Sequence, residues 1–224
     1  LQTSSYVVFQ KVSFDSTGFI NPTTANNYVT TVTNSLEKNT HDGYENHAKY
    51  FASFFKETDK ILELGAGAGN LQYFVKKYIP NITYVTLDIN AKTPESPYIT
   101  KETHFTVYTN KPYQLVENNL PMKFDYIISF EHFEHIDIST LKVFFENIKR
   151  HCHENTKVIV TASKQDFGGP RPNNPHVSVF SKERWIEIIE SMGFKVLDEV
   201  HLTPQNCPPN FLFDQTIDLC FKLK

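Results

Sequence analysis

The 224-residue chain has no apolar run approaching the 18 or more residues that a membrane-spanning helix requires, so no membrane insertion is expected. Its first residues lack the charged-then-apolar order of a secretory signal, and the reading is a soluble, cytoplasmic protein. Cysteine is scarce. Cys152, Cys207 and Cys220 are odd in number and irregularly spaced, which makes neither a disulfide framework nor a zinc pattern and fits a reducing compartment. A large excess of one charge sign is also missing: a formal net charge of −3 leaves no electrostatic footprint for a long nucleic acid. Asn81-Ile82-Thr83 has the form of a glycosylation acceptor but precedes an expected buried strand, and it is read as chance. The length suits one sizeable α/β core and is short for two.

What is present begins with Ile61-Leu62-Glu63-Leu64-Gly65-Ala66-Gly67-Ala68-Gly69-Asn70, an apolar strand running into three alternate glycines. Glycines let a chain turn sharply and bring its backbone against a ligand. Leu71, Phe74, Val75 and Tyr78 then recur at helical spacing, so the element reads strand, tight turn, helix. A second apolar strand, Tyr84 to Ile89, carries Asp88, an acid about 20 residues beyond the glycines that can accept both hydroxyls of a ribose. The glycine spacing separates this pattern from a dinucleotide site. There the third glycine falls three residues after the second, a position occupied here by Asn70, whereas this chain has Gly69 two residues after.

Residues 1–41 are rich in Ser, Thr and Asn without a sustained period and read as an N-terminal extension or lid, with residues 42–224 forming the main domain. Tyr44, His47, Ala48, Phe51, Phe54 and Phe55 make one helical stripe over 42–55, with Asp42 available as a cap. Strands are expected near 60–65, 83–89, 103–109, 124–130 and 156–162, and helices near 69–79, 139–152 and 181–192. That alternation implies a parallel, doubly wound sheet. Two final strand-like runs, 193–203 and 213–224, have only a Pro- and Asn-bearing connection between them and can pair antiparallel. Prolines 94 and 97 make a loop of the segment after Asp88. Ser181 caps the last helix, whose face of Trp185, Ile188, Ile189 and Met192 is core packing without chemistry.

The second informative run, Glu131-His132-Phe133-Glu134-His135-Ile136, directly follows the strand Phe124 to Phe130, on the rim where doubly wound sheets bind ligands. If it begins a helical turn, Glu131, Glu134 and His135 face one direction and His132 faces away to solvent or packing. The other histidines, His41, His47, His104, His151, His153 and His201, have no motif around them and read as surface or core residues. Between the fifth strand and the helix at Ser181 lies a Gly- and Pro-rich loop, with Lys164 and Arg171 as candidates for an oxygen-bearing substrate group or for a solvated connector.

The Glu63-x-Gly65-x-Gly67-x-Gly69 form resembles motif I of the class I S-adenosylmethionine-dependent methyltransferases, and the resemblance spans roughly residues 42–224. It implies a Rossmann-like seven-stranded α/β sheet in the order 3-2-1-4-5-7-6 with the last strand antiparallel. S-adenosylmethionine would then be held by Glu63, Gly65, Ala66, Gly67, Gly69, Asp88, Ile89 and Phe130, with the carboxylate of Glu63 facing the cationic methionine end. The contact with the adenine amine stays unassigned across Tyr108 to Pro121.

The Glu-x-x-Glu-His run is similar to that of ubiquinone-biosynthesis-type O-methyltransferases and small-RNA 2′-O-methyltransferases. In members of both groups these residues hold a divalent cation. By that resemblance Glu131, Glu134, His135 and His176 are both the catalytic candidates and candidate ligands for Mg²⁺, Mn²⁺ or Fe²⁺, ions suited to oxygen and imidazole. A metal-free role, with His135 or His176 as general base, and a purely structural role stay open. The first expectation is O-methylation of a small-molecule hydroxyl on a sugar, phenol or related metabolite. The alternatives are the 2′-hydroxyl of a short RNA and a non-catalytic donor-binding or partner-binding domain, and the residues name neither the acceptor nor an oligomeric state.

Overall fold

The computed structural model describes residues 7–10, 41–67, 69–89, 103–118, 120–166, 176–199, 201–203 and 215–224. Its central element is a seven-stranded sheet built from β2 (Lys60–Leu64), β3 (Thr83–Asp88), β4 (His104–Thr106), β7 (Phe124–Ser129), β8 (Cys152–Ser163), β9 (Phe194–Leu197) and β10 (Thr216–Leu223). The order is β4-β3-β2-β7-β8-β10-β9. Counted along the seven, this is 3-2-1-4-5-7-6, as the methyltransferase resemblance implies, and β10 runs antiparallel to both neighbours.

Strand parity divides the core into two faces, because successive side chains of a strand point to opposite sides. Leu62, Leu64, Val85, Leu87, Ile127, Val158, Val160, Leu219 and Phe221 pack with Phe133, Phe144, Phe145 and Trp185 under α3 (Leu141–His151) and α4 (Lys182–Ser191). The alternate residues Ile61, Tyr84, Ile128, Ile159 and Cys220 pack with Ala48, Phe51, Phe55, Leu71, Phe74 and Val75 of α1 (His41–Ala52), its trailing turn and α2 (Asn70–Tyr78). The register sets Leu64 opposite both Leu87 and Ser129, so the parallel strands end level and form one rim.

Several boundaries differ from the sequence expectation. The helix expected over 42–55 is His41–Ala52, with Asp42 inside its first turn and its side chain outside the described residues. Tyr78 does not extend the buried stripe of α2; it is 37 % exposed and donates to Glu45 at 2.6 Å. The strand expected at 103–109 is only His104–Thr106, and the one at 193–203 is only Phe194–Leu197. β8 starts at Cys152, directly at the end of α3, earlier than the expected 156.

A second sheet was not foreseen: β1 (Val7–Gln10), β5 (Tyr113–Glu117) and β6 (Leu120–Pro121) pair antiparallel. A seam of polar groups ties it to α3. Asn147 accepts from the Tyr113 N–H at 3.3 Å and donates to the Lys111 carbonyl at 2.8 Å, and Arg150 donates to the Tyr113 carbonyl at 2.8 Å. Ser181 caps α4 as expected, accepting from the Arg184 N–H at 3.2 Å, and Trp185 is fully buried. Of the remaining expectations, the proline loop after Asp88, Arg171, Cys207 and most of residues 1–40 lie outside the described residues.

Candidate active site at the sheet rim

The glycine turn is built by backbone pairing to β3. The Gly65 and Ala66 N–H groups both donate to the Leu87 carbonyl, at 2.8 and 3.2 Å, and the Gly67 N–H donates to the Asp88 carboxylate at 2.8 Å. Gly65, Gly67 and Gly69 have φ of 71°, 53° and 73°, a left-handed backbone that side chains with a Cβ resist. At Gly65 space is the second constraint: a Cβ there would stand 2.5 Å from Cγ of His132. His132 is therefore the packing residue of its run, seated on the turn with its Nε2 2.9 Å from the Thr109 hydroxyl. Burial drives its imidazole down to about 3, so it sits there neutral.

Glu63 precedes the turn on the α1–α2 face and is 4 % exposed. Burial pushes its carboxyl up to about 8; a hydrogen bond from Tyr84 at 2.9 Å opposes the shift and nearby Asp88 adds to it. A buried acid supplied with one neutral donor is suited to a cationic ligand group, and the methionine end of S-adenosylmethionine carries one. Tyr44 of α1 lies close to two acids at once: burial, Glu63 and Glu131 together push its phenol up to about 12. That shared neighbour links the glycine side of the rim to the acid-imidazole side. Beside it, His47 stacks on Phe130 with ring centroids 5.4 Å apart and planes 9° from parallel. Burial lowers His47 to about 4. Tyr44 and His47 carried no local motif, and only their positions on the helical stripe pointed toward the sheet.

The Glu131–His135 run is not the helical turn expected of it. Glu131 has φ 47°, and a 3₁₀ turn begins only at Phe133 and spans Phe133–His135. Thr161 accepts from the Glu131 N–H at 3.0 Å, and the hydroxyls of Thr161 and Thr216 bond its carboxyl. The ligand atoms of Glu134, His135 and His176 all lie within 4.8 Å of one another, and Glu131 is outside that group. It reaches Glu134 directly, carboxyl to carboxyl.

His176 is brought in by the chain following the long loop. The Val177 and Ser178 N–H groups donate to the Glu134 carbonyl at 2.8 and 2.9 Å, and Nδ1 of His176 lies 2.7 Å from the Gln165 carbonyl. With that nitrogen donating, Nε2 carries the lone pair and stands 4.0 Å from Oε1 of Glu134. The rings of His135 and His176 meet edge to face at 4.8 Å. Glu134 is fully buried, and neither of its oxygens has a well-formed hydrogen bond among the described residues; the backbone N–H groups of Ser163 and of Glu134 itself approach the carboxyl and only partly offset its burial. Burial first, then the Glu131 charge, push Glu134 up to about 8, while burial lowers His176. The 4.0 Å contact thus joins two groups that both favour their neutral forms.

The sheet order, the glycine turn, the buried acid before it and the ribose-type acid at the end of β3 define an S-adenosylmethionine-dependent methyltransferase of class I. Residues 37–199 match the family model described as methyltransferase domain, and the chain belongs to that family. No curated protein matches it significantly in sequence. Among solved structures it is similar to a TehB-like S-adenosylmethionine-dependent methyltransferase from Corynebacterium glutamicum, with TM-score 0.62, 14 % identity and coverage of 91 % of this chain and 100 % of that one. It also resembles the glycopeptide N-methyltransferase MtfA complexed with S-adenosylhomocysteine (TM-score 0.59, 10 % identity, 80 % and 89 % covered). A third is the mitomycin 7-O-methyltransferase MmcR (TM-score 0.55, 11 % identity, 80 % and 54 % covered). At these identities the likeness is one of fold. No helix among the described residues is long and apolar enough to cross a membrane.

Proposed function

We propose that the protein methylates a hydroxyl oxygen of a small molecule and that Glu134, His135 and His176 hold a divalent cation beside the acceptor. The observation supporting this reading most directly is Glu134, a fully buried carboxyl whose oxygens make no well-formed hydrogen bond among the described residues and which stands within 4.8 Å of two imidazole nitrogens. An oxygen and two nitrogens suit Mg²⁺, Mn²⁺ or Fe²⁺. Bound there, the ion would lower the pKa of a substrate hydroxyl and fix its oxygen.

The remaining work falls to side chains and backbone. Methyl transfer from a sulfonium is an in-line displacement, so the protein contributes mainly alignment and removal of one proton. In this reading Glu63 and Tyr84 orient the methionine end of the donor, Asp88 and the Gly67 N–H hold the ribose end, and Phe130 with His47 walls the methyl-bearing side. Ala66, Gly69 and Ile89 complete the donor wall. Glu131, near both Tyr44 and Glu134, would receive the acceptor proton. Lys164, beside the cluster's loop, is a candidate contact for an anionic or sugar substituent.

The net charge of −3 favours a small acceptor over short RNA. The test is release of S-adenosylhomocysteine on incubation with a hydroxylated metabolite extract, before and after exhaustive chelation. Turnover lost on chelation and restored by Mn²⁺ or Mg²⁺ is expected. Turnover that resists chelation, and falls only slightly in Glu134→Ala, would reject the cation and leave His135 or His176 as the base. Methylation of short RNA but of no metabolite would reject the small acceptor.

A further inference from the structure

A second cluster of donors lies on the same face of the sheet, away from the rim. The ligand atoms of Glu199, His201 and Cys220 stand within 4.8 Å of one another, with Cys220 fully buried and His201 8 % exposed. We infer that this protein binds a thiolate-seeking divalent cation, Zn²⁺ foremost, through Cys220 Sγ, His201 Nε2 and Glu199 Oε2. Thr216, whose hydroxyl bonds Glu131 at the rim, and Cys220 occupy the same face of β10 four residues apart. At about 3.3 Å per residue they are separated by roughly 13 Å, so the two clusters cannot share an ion.

The spacing fits the ion. A tetrahedral centre with sulfur at about 2.3 Å and nitrogen or oxygen at about 2.0–2.1 Å holds its donors roughly 3.4–3.6 Å apart. His201 Nε2 is 3.5 Å from Glu199 Oε2, and Cys220 Sγ is 3.9 Å from the same oxygen. The third pair, His201 Nε2 and Cys220 Sγ, lies within 4.8 Å, so movement of about 1 Å brings the three to a common centre. The donor set also differs in kind from the rim: one sulfur with one imidazole selects zinc-like ions, where carboxylate and imidazole alone do not.

The ligands are held in place by neighbours that are not ligands. The Asp218 carboxylate, two residues before Cys220 and on the same strand face, accepts from the His201 and Leu202 N–H groups at 2.6 and 3.1 Å. That fixes the chain carrying His201 against the strand carrying Cys220. Nδ1 of His201 is 3.1 Å from the Tyr50 hydroxyl of α1, and with Nδ1–H donating there Nε2 presents its lone pair to the cluster. A bound ion would then tie α1, the β9 exit and β10 together, which gives the site a structural role. Binding breaks the Cys220 S–H bond and forms a sulfur–metal bond, the proton leaving to solvent. One local cation competes: the Lys157 ammonium lies 2.8 and 3.1 Å from the two Glu199 oxygens, on a side chain that is 40 % exposed and able to swing away.

Titration of the intact chain with Co²⁺, followed by its thiolate-to-metal charge-transfer absorption, tests the assignment, because the rim cluster has no sulfur to produce that band. A saturable band is expected, displaced by Zn²⁺, absent in Cys220→Ser and weakened about tenfold or more in affinity by Glu199→Gln, with Tyr50→Phe also weakening it. Lys157→Met should tighten binding by removing the competitor. Should Cys220→Ser fail to fold, Glu199→Gln and Lys157→Met, at half-exposed positions, carry the test in opposite directions. No band at saturating cobalt, a band that survives Cys220→Ser, or affinity unmoved by both half-exposed variants would overturn the site.

Discussion

Tyr84 donates its hydroxyl to Glu63 across 2.9 Å, and the two side chains are 0 % and 4 % exposed. One neutral donor does not compensate a buried carboxylate, which is why burial carries Glu63 up to about 8 before any ligand arrives. A cationic methionine group beside it reverses the balance. Binding of S-adenosylmethionine at pH 7 is therefore expected to expel a proton. Calorimetry in buffers of different ionisation enthalpy measures this as a slope, and Glu63→Gln should flatten the slope and weaken binding. An unchanged slope in Glu63→Gln would remove Glu63 from the donor site.

Gly65→Ala combines two penalties. The residue sits at φ 71°, which costs an L side chain about 1–2 kcal/mol, and its new Cβ would stand 2.5 Å from the His132 ring, adding overpacking of about 1–3 kcal/mol. Urea denaturation should show a loss of about 2–5 kcal/mol with an unchanged m-value. The double variant Gly65→Ala/His132→Ala should recover the steric part and leave the backbone part. If the double variant recovers nothing, the close approach of the imidazole is not what fixes the glycine.

The sheet was legible because its signals are periodic and local. Apolar runs at 61–64, 84–87 and 127–130 with intervening helical stripes determine the alternation, and Phe194 and Phe221 place an unbridged pair at the end. The β1–β5–β6 sheet was not legible, since β5 has no alternation strong enough to announce it and its partner lies over 100 residues away in sequence. At the site, Glu63, Asp88 and the glycines follow from spacing. His132 did not, because its role depends on a Cβ that Gly65 lacks. The Glu131 backbone likewise escaped: a left-handed residue at 47° breaks the helical spacing by which it had been grouped with Glu134 and His135. The Glu199–His201–Cys220 group is assembled by antiparallel pairing across β10, a relation that linear spacing does not contain.

The unliganded protein should be most stable near pH 6.5, between two opposing titrations. Burial lowers His47, His132 and His151 to about 4, 3 and 4, so the unfolded chain binds more protons below the ordinary histidine value of about 6.5. Stability then rises as pH climbs from about 4 to 6.5. Glu63 and Glu134, both raised to about 8, work the other way: the folded chain holds protons that the unfolded chain has lost, and stability falls as pH rises through 8. With His176 and His201 lowered as well and Glu131 raised as well, the lowered histidines outnumber the raised acids below 6.5, and above it the raised acids dominate. Thermal melts across pH 4–9 check the maximum, and Glu63→Gln should shallow the fall above pH 6.5 and steepen the rise below it, because the Glu63 proton difference spans the window from about 4.5 to about 8. A melt temperature still rising at pH 8 would contradict the buried, proton-retaining state of both acids.

Glu134→Gln separates what the rim does for folding from what it does for chemistry. In the unliganded protein the Glu134 carboxyl is fully buried beside the Glu131 acid, and the backbone N–H groups of Ser163 and Glu134 that approach it form no well-made hydrogen bond and offset its burial only in part. Glutamine keeps the shape and supplies two N–H donors to Glu131, so the substitution should stabilise the apo protein by about 1–2 kcal/mol and raise its Tm by a few degrees, more at pH 8 than at pH 6. The same change removes a charged oxygen ligand or proton acceptor, and turnover should fall about 100-fold or more. Added Mn²⁺ should raise the Tm of the wild type and leave that of Glu134→Gln nearly unchanged. A variant that is both less stable and fully active would show that Glu134 is a structural acid, satisfied in the folded chain by groups other than a ligand.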